Sequence, residues 1–590
     1  MTEDAGLLNF QWAYRFVHAL AAGGVHHACL APGSRNTPLT LAFAEHDDIT
    51  ATSHIDERSC AFFGLGLAKR KGQPVALVCT SGTAGTNFYP AVVEASMSNI
   101  PLLVCTADRP PALHGLGANQ TIDQQELFGN KVRWFQDVGM PEDTPAARER
   151  IRKNSQKALR ELGSPSPGPV HLNFPFSKPL EPETPDRITD VLENTGHPWT
   201  PEPFTLGDIQ PNEDDIDQTM DLIQQHGKGV ILVGPMRFNR DFITRCLTLA
   251  NATGFPILAD GLSQLRFGNP DEELLCCYSS SFLPSPILKK QTTPEFILRF
   301  GRMPTTRELN DYLRAHTGAI QLAVTDDGRR HDSTKTLDIL IEATPQLFTD
   351  ALNQRLHKSG HQPAEQRWSE PFIRADGIAQ SVMEQEMKSH RKFEGRIYPE
   401  VLSRIPPNTN LMVSNSLPVR DLDYYAPRIQ PHIPIFFNRG VSGIDGITST
   451  ALGIAAAYRE PMVLITGDLA FLHDTGALIA AHRYKLPLTV ILVNNSGGGI
   501  FEMLPISKFG ETYRTYVTTP HAVQFEPLVR AFAGKFTAIR NWRQFHHAFP
   551  EAVFSREFRV LEIHTDATES REIRRQIQSR IDDVLQEEFS

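Results

Sequence analysis

Two strand ends rich in oxygen ligands, separated by 25 intervening residues, carry the densest chemistry of this 590-residue chain. The apolar run Met462 to Ile465 leads into Thr466-Gly467-Asp468-Leu469. A second run, Leu488 to Val493, leads into Asn494-Asn495-Ser496-Gly497-Gly498-Gly499. Between them Ala470 to Tyr484 reads as a helix, so the stretch predicts two parallel strands joined by a helical crossover. Ligands of open α/β sheets bind at the carboxyl ends of the strands. Here those ends offer a carboxylate, two amides and a glycine turn. Such oxygen donors suit Mg²⁺ shared with a phosphate, and glycines let the backbone approach that phosphate closely. Taken alone, an Asp helix cap followed by an Asn-Gly turn reads the same way.

The elements that must position these residues recur along the chain. Residues 7–22 have helical apolar spacing and stop at Gly23-Gly24. The strand Val25 to Leu30 then opens into Gly33-Ser34-Arg35-Asn36, and Thr52 to Arg58 is a strand end leading into a helix over 59–70. Pro74 to Cys79 ends in Thr80-Ser81-Gly82, and Leu102 to Thr106 ends in Asp108-Arg109-Pro110. This alternation predicts doubly wound parallel sheets. A Pro-rich segment, 165–185, closes the first domain, and an acidic, Pro-containing stretch, 195–215, is read as a linker. Strands at Val230 to Val233, Pro256 to Ala259, Phe296 to Phe300 and Gln321 to Thr325 form a chemically quieter middle domain. In it the turn around Arg302 reads equally as a ligand contact or a packing turn. The polar stretch 355–370 is a second linker, and a third α/β domain follows. The expected division is 1–185, 186–365 and 366–590.

Size and composition narrow the classes. A single core rarely grows beyond about 250–300 residues, so several domains are required. The net charge of −10 and the lack of a Lys/Arg block give no reason to expect nucleic acid. Seven cysteines without CxxC spacing read as reduced core thiols. The acidic N-terminus lacks the order of a signal peptide, and no apolar run approaches the ~20 residues of a membrane span. A cytoplasmic protein without stable membrane association is the expectation.

Gly467-Asp468 followed by Asn494-Asn495 resembles the cofactor-anchoring motif of thiamine-diphosphate (ThDP) enzymes. The third motif position is usually Gly and here is Leu469, a change found in the menaquinone-pathway branch, MenD. The segments His54-Ile55-Asp56-Glu57-Arg58, Leu116 to Gln124, Met412 to Arg420 and Phe436 to Gly446 resemble the same branch. The resemblance implies three ThDP-fold α/β domains in series and a transferase that joins 2-oxoglutarate, with loss of CO₂, to isochorismate. It implies ThDP with Mg²⁺ or Mn²⁺ as cofactors, and a homodimer or homotetramer with sites between subunits.

Carried over residue by residue, the resemblance makes Asp468, Asn495 and the Gly497 carbonyl the metal ligands. Ser81, Gly82, Gly467, Leu469 and Gly498 complete the cofactor cradle. Ile444 becomes the apolar prop beneath the cofactor. Glu57 becomes the catalytic carboxyl that hydrogen-bonds a pyrimidine ring nitrogen; without the resemblance, an acid in a first helical turn is ordinary helix-start charge. Ser416, Arg420 and Arg439 would hold the donor carboxylate. Ser34, Arg35, Arg109, Asn119 and Gln120 would hold isochorismate, and Ile500, Phe501 and Leu504 would wall its pocket. Arginine forks suit carboxylates, although a surface ion pair is the plain alternative for any one of them. For Ile500, Phe501 and Leu504, the plain alternative is core or lid packing.

Two rivals stand beside this reading. One is another ThDP-dependent 2-oxo acid decarboxylase or carboligase, whose smaller substrates need fewer arginines. The other is a catalytically silent ThDP-binding protein, against which Glu57, Asp468 and Asn495 together argue. No HExxH, GxSxG, GxGxxG or Walker lysine motif offers different chemistry.

Overall fold

The computed structural model describes residues 4–163, 166–194, 201–389 and 393–590. The N-terminal Met1–Glu3 and the first part of the expected 195–215 linker, residues 195–200, lie outside them, as does Pro165. Three sheets of six strands, all parallel, alternate with helices. That is the expected architecture. The chain forms two compact units.

The first unit comprises Met1–Gly207, Asn438–Glu460 and Leu472–Pro487. Its strands run in the order Thr50–Ser53, His27–Leu30, Val75–Cys79, Leu102–Asp108, Val170–Pro175, Trp134–Asp137. Strand order reverses between His27–Leu30 and Val75–Cys79, and a crevice for ligands forms at such a switch point. The two loops leaving it, Ala31 to Asn36 and Thr80 to Asn87, carry Ser34, Arg35, Ser81 and Gly82. The Pro-rich 165–185 segment holds the internal strand Val170–Pro175. Its terminal proline is tolerated because a strand end needs no further ladder donor.

Helix Glu57–Lys71 of this unit packs against helix Ile447–Tyr458. Glycines set the spacing. A Cβ on Gly66 would lie 2.1 Å from the Thr450 carbonyl, and one on Gly453 would lie 2.0 Å from the Phe63 carbonyl. Ala470 to Tyr484, expected as one helix, is two: Asp468–His473 and Ala477–Tyr484. The break is at Asp474, whose carboxylate accepts hydrogen bonds from the Ser449 amide at 2.6 Å and hydroxyl at 2.8 Å. A tertiary partner thereby outcompetes local helix continuation.

The second unit comprises Asp208–Phe437, Pro461–Phe471 and Leu488–Ser590 and contains two sheets. One runs Ile339–Glu342, Ile320–Thr325, Phe296–Phe300, Gly229–Val233, Ile257–Ala259, Leu275–Cys276. The other runs Ile435–Phe436, Asn410–Val413, Met462–Gly467, Leu488–Asn494, Arg559–His564, Lys535–Ile539. Its order reverses between Asn410–Val413 and Met462–Gly467, so Ser414 to Ser416 and Gly467-Asp468 leave the switch point together.

The 355–370 stretch is mostly helix rather than linker. Helices Pro345–Ser359 and Gln366–Ser389 leave only 360–365 between them. Leu356, Trp368 and Phe372 are buried within that polar-looking stretch and its continuation, which anchors both helices. Helix Gln366–Ser389 and the C-terminal helix Ala567–Phe589 add Phe372, Ala379, Ile577 and Leu585 to the core of the middle sheet. The Arg302 turn packs on the same sheet: its amide donates to the Pro235 carbonyl at 3.0 Å, and Gly234 leaves no room for a Cβ beside the Arg302 carbonyl. All seven cysteines are free and buried. No helix of the described residues is long and apolar enough to cross a membrane.

Candidate functional site

At the switch point of the third sheet, Asp468 begins the short helix Asp468–His473 directly after the strand Met462–Gly467. Its Oδ1 accepts from the Leu469 amide at 2.7 Å. Its Oδ2 accepts from the amides of Asn495 and Gly497, each at 3.1 Å. The first strand end is thus tied to the second, and Gly467, Asp468, Leu469, Asn495, Gly497 and Gly498 form one cradle. Burial pushes the Asp468 carboxyl above its ordinary range, against the opposing pull of the Leu469 and Gly497 amides and of His521. His521 Nε2 lies 3.3 Å from Oδ2.

Asn495 Oδ1 is buried and has no hydrogen-bond partner among the described residues. A buried acceptor left unpaired is costly, so its presence beside a buried carboxylate fits a ligand that both oxygens reach. Carboxylate, amide oxygen and backbone carbonyl make an all-oxygen donor set of the kind that holds Mg²⁺. The described residues contain no His/Cys/Asp/Glu group of three able to hold a metal.

The glycines have different tasks. Gly497 sits at φ +155° and has the Thr518 carbonyl where a Cβ would stand, at 2.6 Å; Gly498 donates its amide to that same carbonyl at 2.7 Å. A Cβ on Gly498 would press on the Phe501 ring at 2.7 Å. Ile500 and Phe501 are half-buried on the short turn Gly499–Met503, and Leu504 is 46% exposed beside them.

Ser416 and Arg420 come together at the other loop of the switch point. Ser416, at φ +73°, precedes helix Leu417–Tyr425, and its carbonyl accepts from Arg420 Nη1 at 2.6 Å. Arg420 also lines a cavity of about 950 Å³ within this unit, shared with Lys289, Arg307, Met503, Arg571 and Arg574. The middle sheet's helices thus contribute cations to a cavity wall, which the sequence did not suggest.

In the first unit, Arg35, Ser81, Arg109 and Gln120 converge. The Arg109 guanidinium donates to the Ser81 hydroxyl, and its Nη2 to Gln120 Oε1 at 3.4 Å. Ser81, expected to serve the cofactor, is thereby grouped with the expected acceptor-binding residues. Arg35 is buried and donates to the Phe176 carbonyl at 2.7 Å. Burial and then the nearby Arg109 charge lower its guanidinium pKa, while Asp108 opposes them. Two neighbouring guanidiniums of this kind favour an incoming anion. Gly82, at φ +83°, donates its amide to Gln124 Oε1 at 2.8 Å. Gln124 and Asn173 carry the network on to Asp108 through bonds of 2.9 and 3.0 Å. Ser34 and Asn119 are exposed at the edges of these loops.

Glu57 is the first residue of helix Glu57–Lys71 and is half-buried. Asp56, before it, caps the helix by accepting from the Ser59 amide at 3.2 Å. Asp56 is thus used locally, as the cap of the helix that Glu57 begins. Burial, then the Glu57 charge, pushes the Cys79 thiol up. Ile444 is half-buried on the loop before helix Ile447–Tyr458, next to Gly446, whose Cβ position is filled by the Phe62 ring. Arg439 is half-buried. The loop it begins is fixed by Glu94, which accepts from the amides of Gly440 at 3.0 Å and Val441 at 2.9 Å. Glu94, Gln124 and His521 escaped sequence reasoning because each acts on a backbone or side chain distant in the chain; Gln124 alone had a signal, its place in the Leu116 to Gln124 segment.

The chain matches three domain families. They are the thiamine pyrophosphate enzyme N-terminal TPP binding domain over residues 11–127, the middle domain of thiamine pyrophosphate enzymes over 192–413, and the C-terminal TPP binding domain over 432–563. It is 41% identical over 595 residues to the 2-succinyl-5-enolpyruvyl-6-hydroxy-3-cyclohexene-1-carboxylate synthase of Haloarcula marismortui, covering 98% of this chain and 99% of that one. It is 39% identical over 609 residues to the synthase of Haloquadratum walsbyi, covering 97% and 98%. It is 39% identical over 575 residues to that of a Roseiflexus species, covering 95% and 96%. With the cradle at Asp468 and the arginines at both switch points, this similarity along nearly the whole chain shows that the protein belongs to the thiamine-pyrophosphate-dependent 2-succinyl-5-enolpyruvyl-6-hydroxy-3-cyclohexene-1-carboxylate (SEPHCHC) synthase family.

Proposed function

We propose that this chain catalyses the decarboxylating ligation of 2-oxoglutarate to isochorismate, giving SEPHCHC and CO₂ on the route to menaquinone or phylloquinone. The observation that carries the reading is the Asp468–Asn495–Gly497 cradle with its orphaned Asn495 oxygen, in a chain related to SEPHCHC synthases end to end. Asp468, Asn495 and the Gly497 carbonyl would hold Mg²⁺ or Mn²⁺, and Gly467, Leu469 and Gly498 would flank the diphosphate of ThDP. Bound ThDP supplies the electron sink that lets a 2-oxo acid lose CO₂.

The chain's own residues bind, orient and exclude water. With ThDP bound, Glu57 would hold a proton at the pyrimidine end, Ser81 and Gly82 would line that end, and Ile444 would prop the cofactor. Ser416, Arg420 and Arg439 grip the distal carboxylate of 2-oxoglutarate. Arg35 and Arg109 receive the carboxylates of isochorismate, with Ser34, Asn119 and Gln120 at its polar edge. Ile500, Phe501 and Leu504 cover the acceptor and keep water from the reacting carbons. The active species is a cytoplasmic homodimer or homotetramer, with each site built from two chains divided near residues 185 and 365. Nucleic acid and membrane play no part.

The test is CO₂ release from 2-oxoglutarate by protein supplied with ThDP and Mg²⁺, with and without isochorismate. Slow release that isochorismate accelerates strongly, with a new cyclohexene acid formed, is the expected result. Brisk release indifferent to isochorismate makes the protein a simple 2-oxo acid decarboxylase and removes the roles given to Arg35, Arg109, Asn119 and Gln120.

A further inference from the structure

Helix Leu417–Tyr425 carries Arg420 and is held by two separate buried networks. On one side, Arg574 of the C-terminal helix donates to both oxygens of Asp421, at 2.5 and 3.0 Å, and to Glu394 at 3.0 Å. Its guanidinium lies 5.2 and 5.5 Å from the ring centres of Phe393 and Tyr425. On the other side, Arg266, fully buried, donates to Asp423 Oδ1 at 2.7 Å and to the Asp423 carbonyl at 2.6 Å. The same Asp423 accepts from the Gly261 amide at 2.6 Å and the Ser280 hydroxyl at 2.5 Å.

Residues two apart on an α-helix point about 200° apart around its axis. Asp421 and Asp423 therefore anchor nearly opposite sides, one to the C-terminal helix and one to the middle sheet's loops. Arg420 projects from the arc between them. It lines the same cavity as Arg574. Arg574 is committed to two carboxylates, whereas the Arg420 guanidinium, among the described residues, donates one hydrogen bond, to the Ser416 carbonyl. A buried arginine–carboxylate fork is often no more stabilising than apolar packing; its planar geometry fixes direction.

We infer that Arg574 and Arg266, through Asp421 and Asp423, are positioning residues that set the rotation of this helix and so aim Arg420 at the donor's distal carboxylate. This rests on the 2-oxoglutarate reading above. Arg266, from the loops of the middle sheet, and Arg574, from the C-terminal helix, thus serve donor selectivity through the helix that carries Arg420.

The test compares 2-oxoglutarate with 2-oxopentanoate, which has the same chain length and no distal carboxylate. Asp423→Asn and Arg574→Lys are each made in the native and the Arg420→Ala backgrounds. Each is expected to lower kcat/KM for 2-oxoglutarate by about tenfold relative to 2-oxopentanoate, and to have no further effect once Arg420 is gone. Equal losses with both acids, or losses that add to that of Arg420→Ala, overturn the inference and leave the networks merely structural. Ser280→Ala, which removes one hydroxyl from Asp423, carries the same comparison if the charged variants do not fold. Native protein that turns over neither acid with isochorismate instead overturns the proposed function.

Discussion

Asp468 and Asn495 show how little separates an ordinary strand end from a binding site. Both lie at ends where a cap and a turn suffice, yet Asn495 leaves a buried oxygen without a partner among the described residues. Asn495→Ala is expected to abolish metal-dependent ThDP binding while leaving the fold intact. Equilibrium titration of ThDP with and without Mg²⁺ reads this directly, and unchanged binding would remove the assignment. Glu57→Gln keeps the shape of the helix start but not the acid, and turnover should fall by about 10²–10⁴-fold with ThDP binding largely kept. Arg420→Ala should raise KM for 2-oxoglutarate by roughly thirtyfold, corresponding to about 2 kcal/mol for charge-assisted hydrogen bonds, while KM for isochorismate changes little. Steady-state kinetics with each substrate varied in turn separates the two.

At the scale of elements, glycines discriminate between packing and propensity. Gly66 and Gly453 let helices Glu57–Lys71 and Ile447–Tyr458 meet backbone to backbone. Gly453→Ala puts a methyl 2.0 Å from the Phe63 carbonyl, and overpacking of this kind costs about 1–3 kcal/mol. Gly377 is exposed within helix Gln366–Ser389, and a methyl added there would meet nothing within 4 Å. Gly377→Ala should therefore stabilise by about 0.5–1 kcal/mol through the unfolded chain. Thermal unfolding of the two variants should move in opposite directions. A shared direction would mean that the contact between the two helices does not decide the effect.

For the whole molecule, buried carboxylates tie stability to pH. Burial pushes the Asp474 carboxyl from 3.8 up to about 6, against the Ser449 hydrogen bonds. The folded protein then holds a proton that the unfolded chain releases, so this contribution is present below 3.8 and is lost as pH rises through about 6. Burial likewise raises Asp421 to about 6, with Arg574 opposing. Asp474→Asn should flatten the difference in thermal stability between pH 4.5 and 7 relative to the native protein. An unchanged slope would show that Asp474 does not titrate there.

The periodicity of apolar runs determined the alternating fold and put oxygen donors and arginines at strand ends, because strand burial and loop chemistry are written locally; the roles of those residues came from the resemblance to ThDP enzymes. Tertiary structure decided what depends on partners far along the chain. It broke the helix at Asp474 by offering Ser449, and turned the polar 355–370 stretch into helices by giving Leu356, Trp368 and Phe372 a core to enter. It also drew Gln366–Ser389 and Ala567–Phe589 onto the middle sheet, grouped Ser81 with Arg109, and fixed Arg420 between two ion-pair networks. Each of these outcomes depends on the free energy of contacts between distant segments, which no window of neighbouring residues contains.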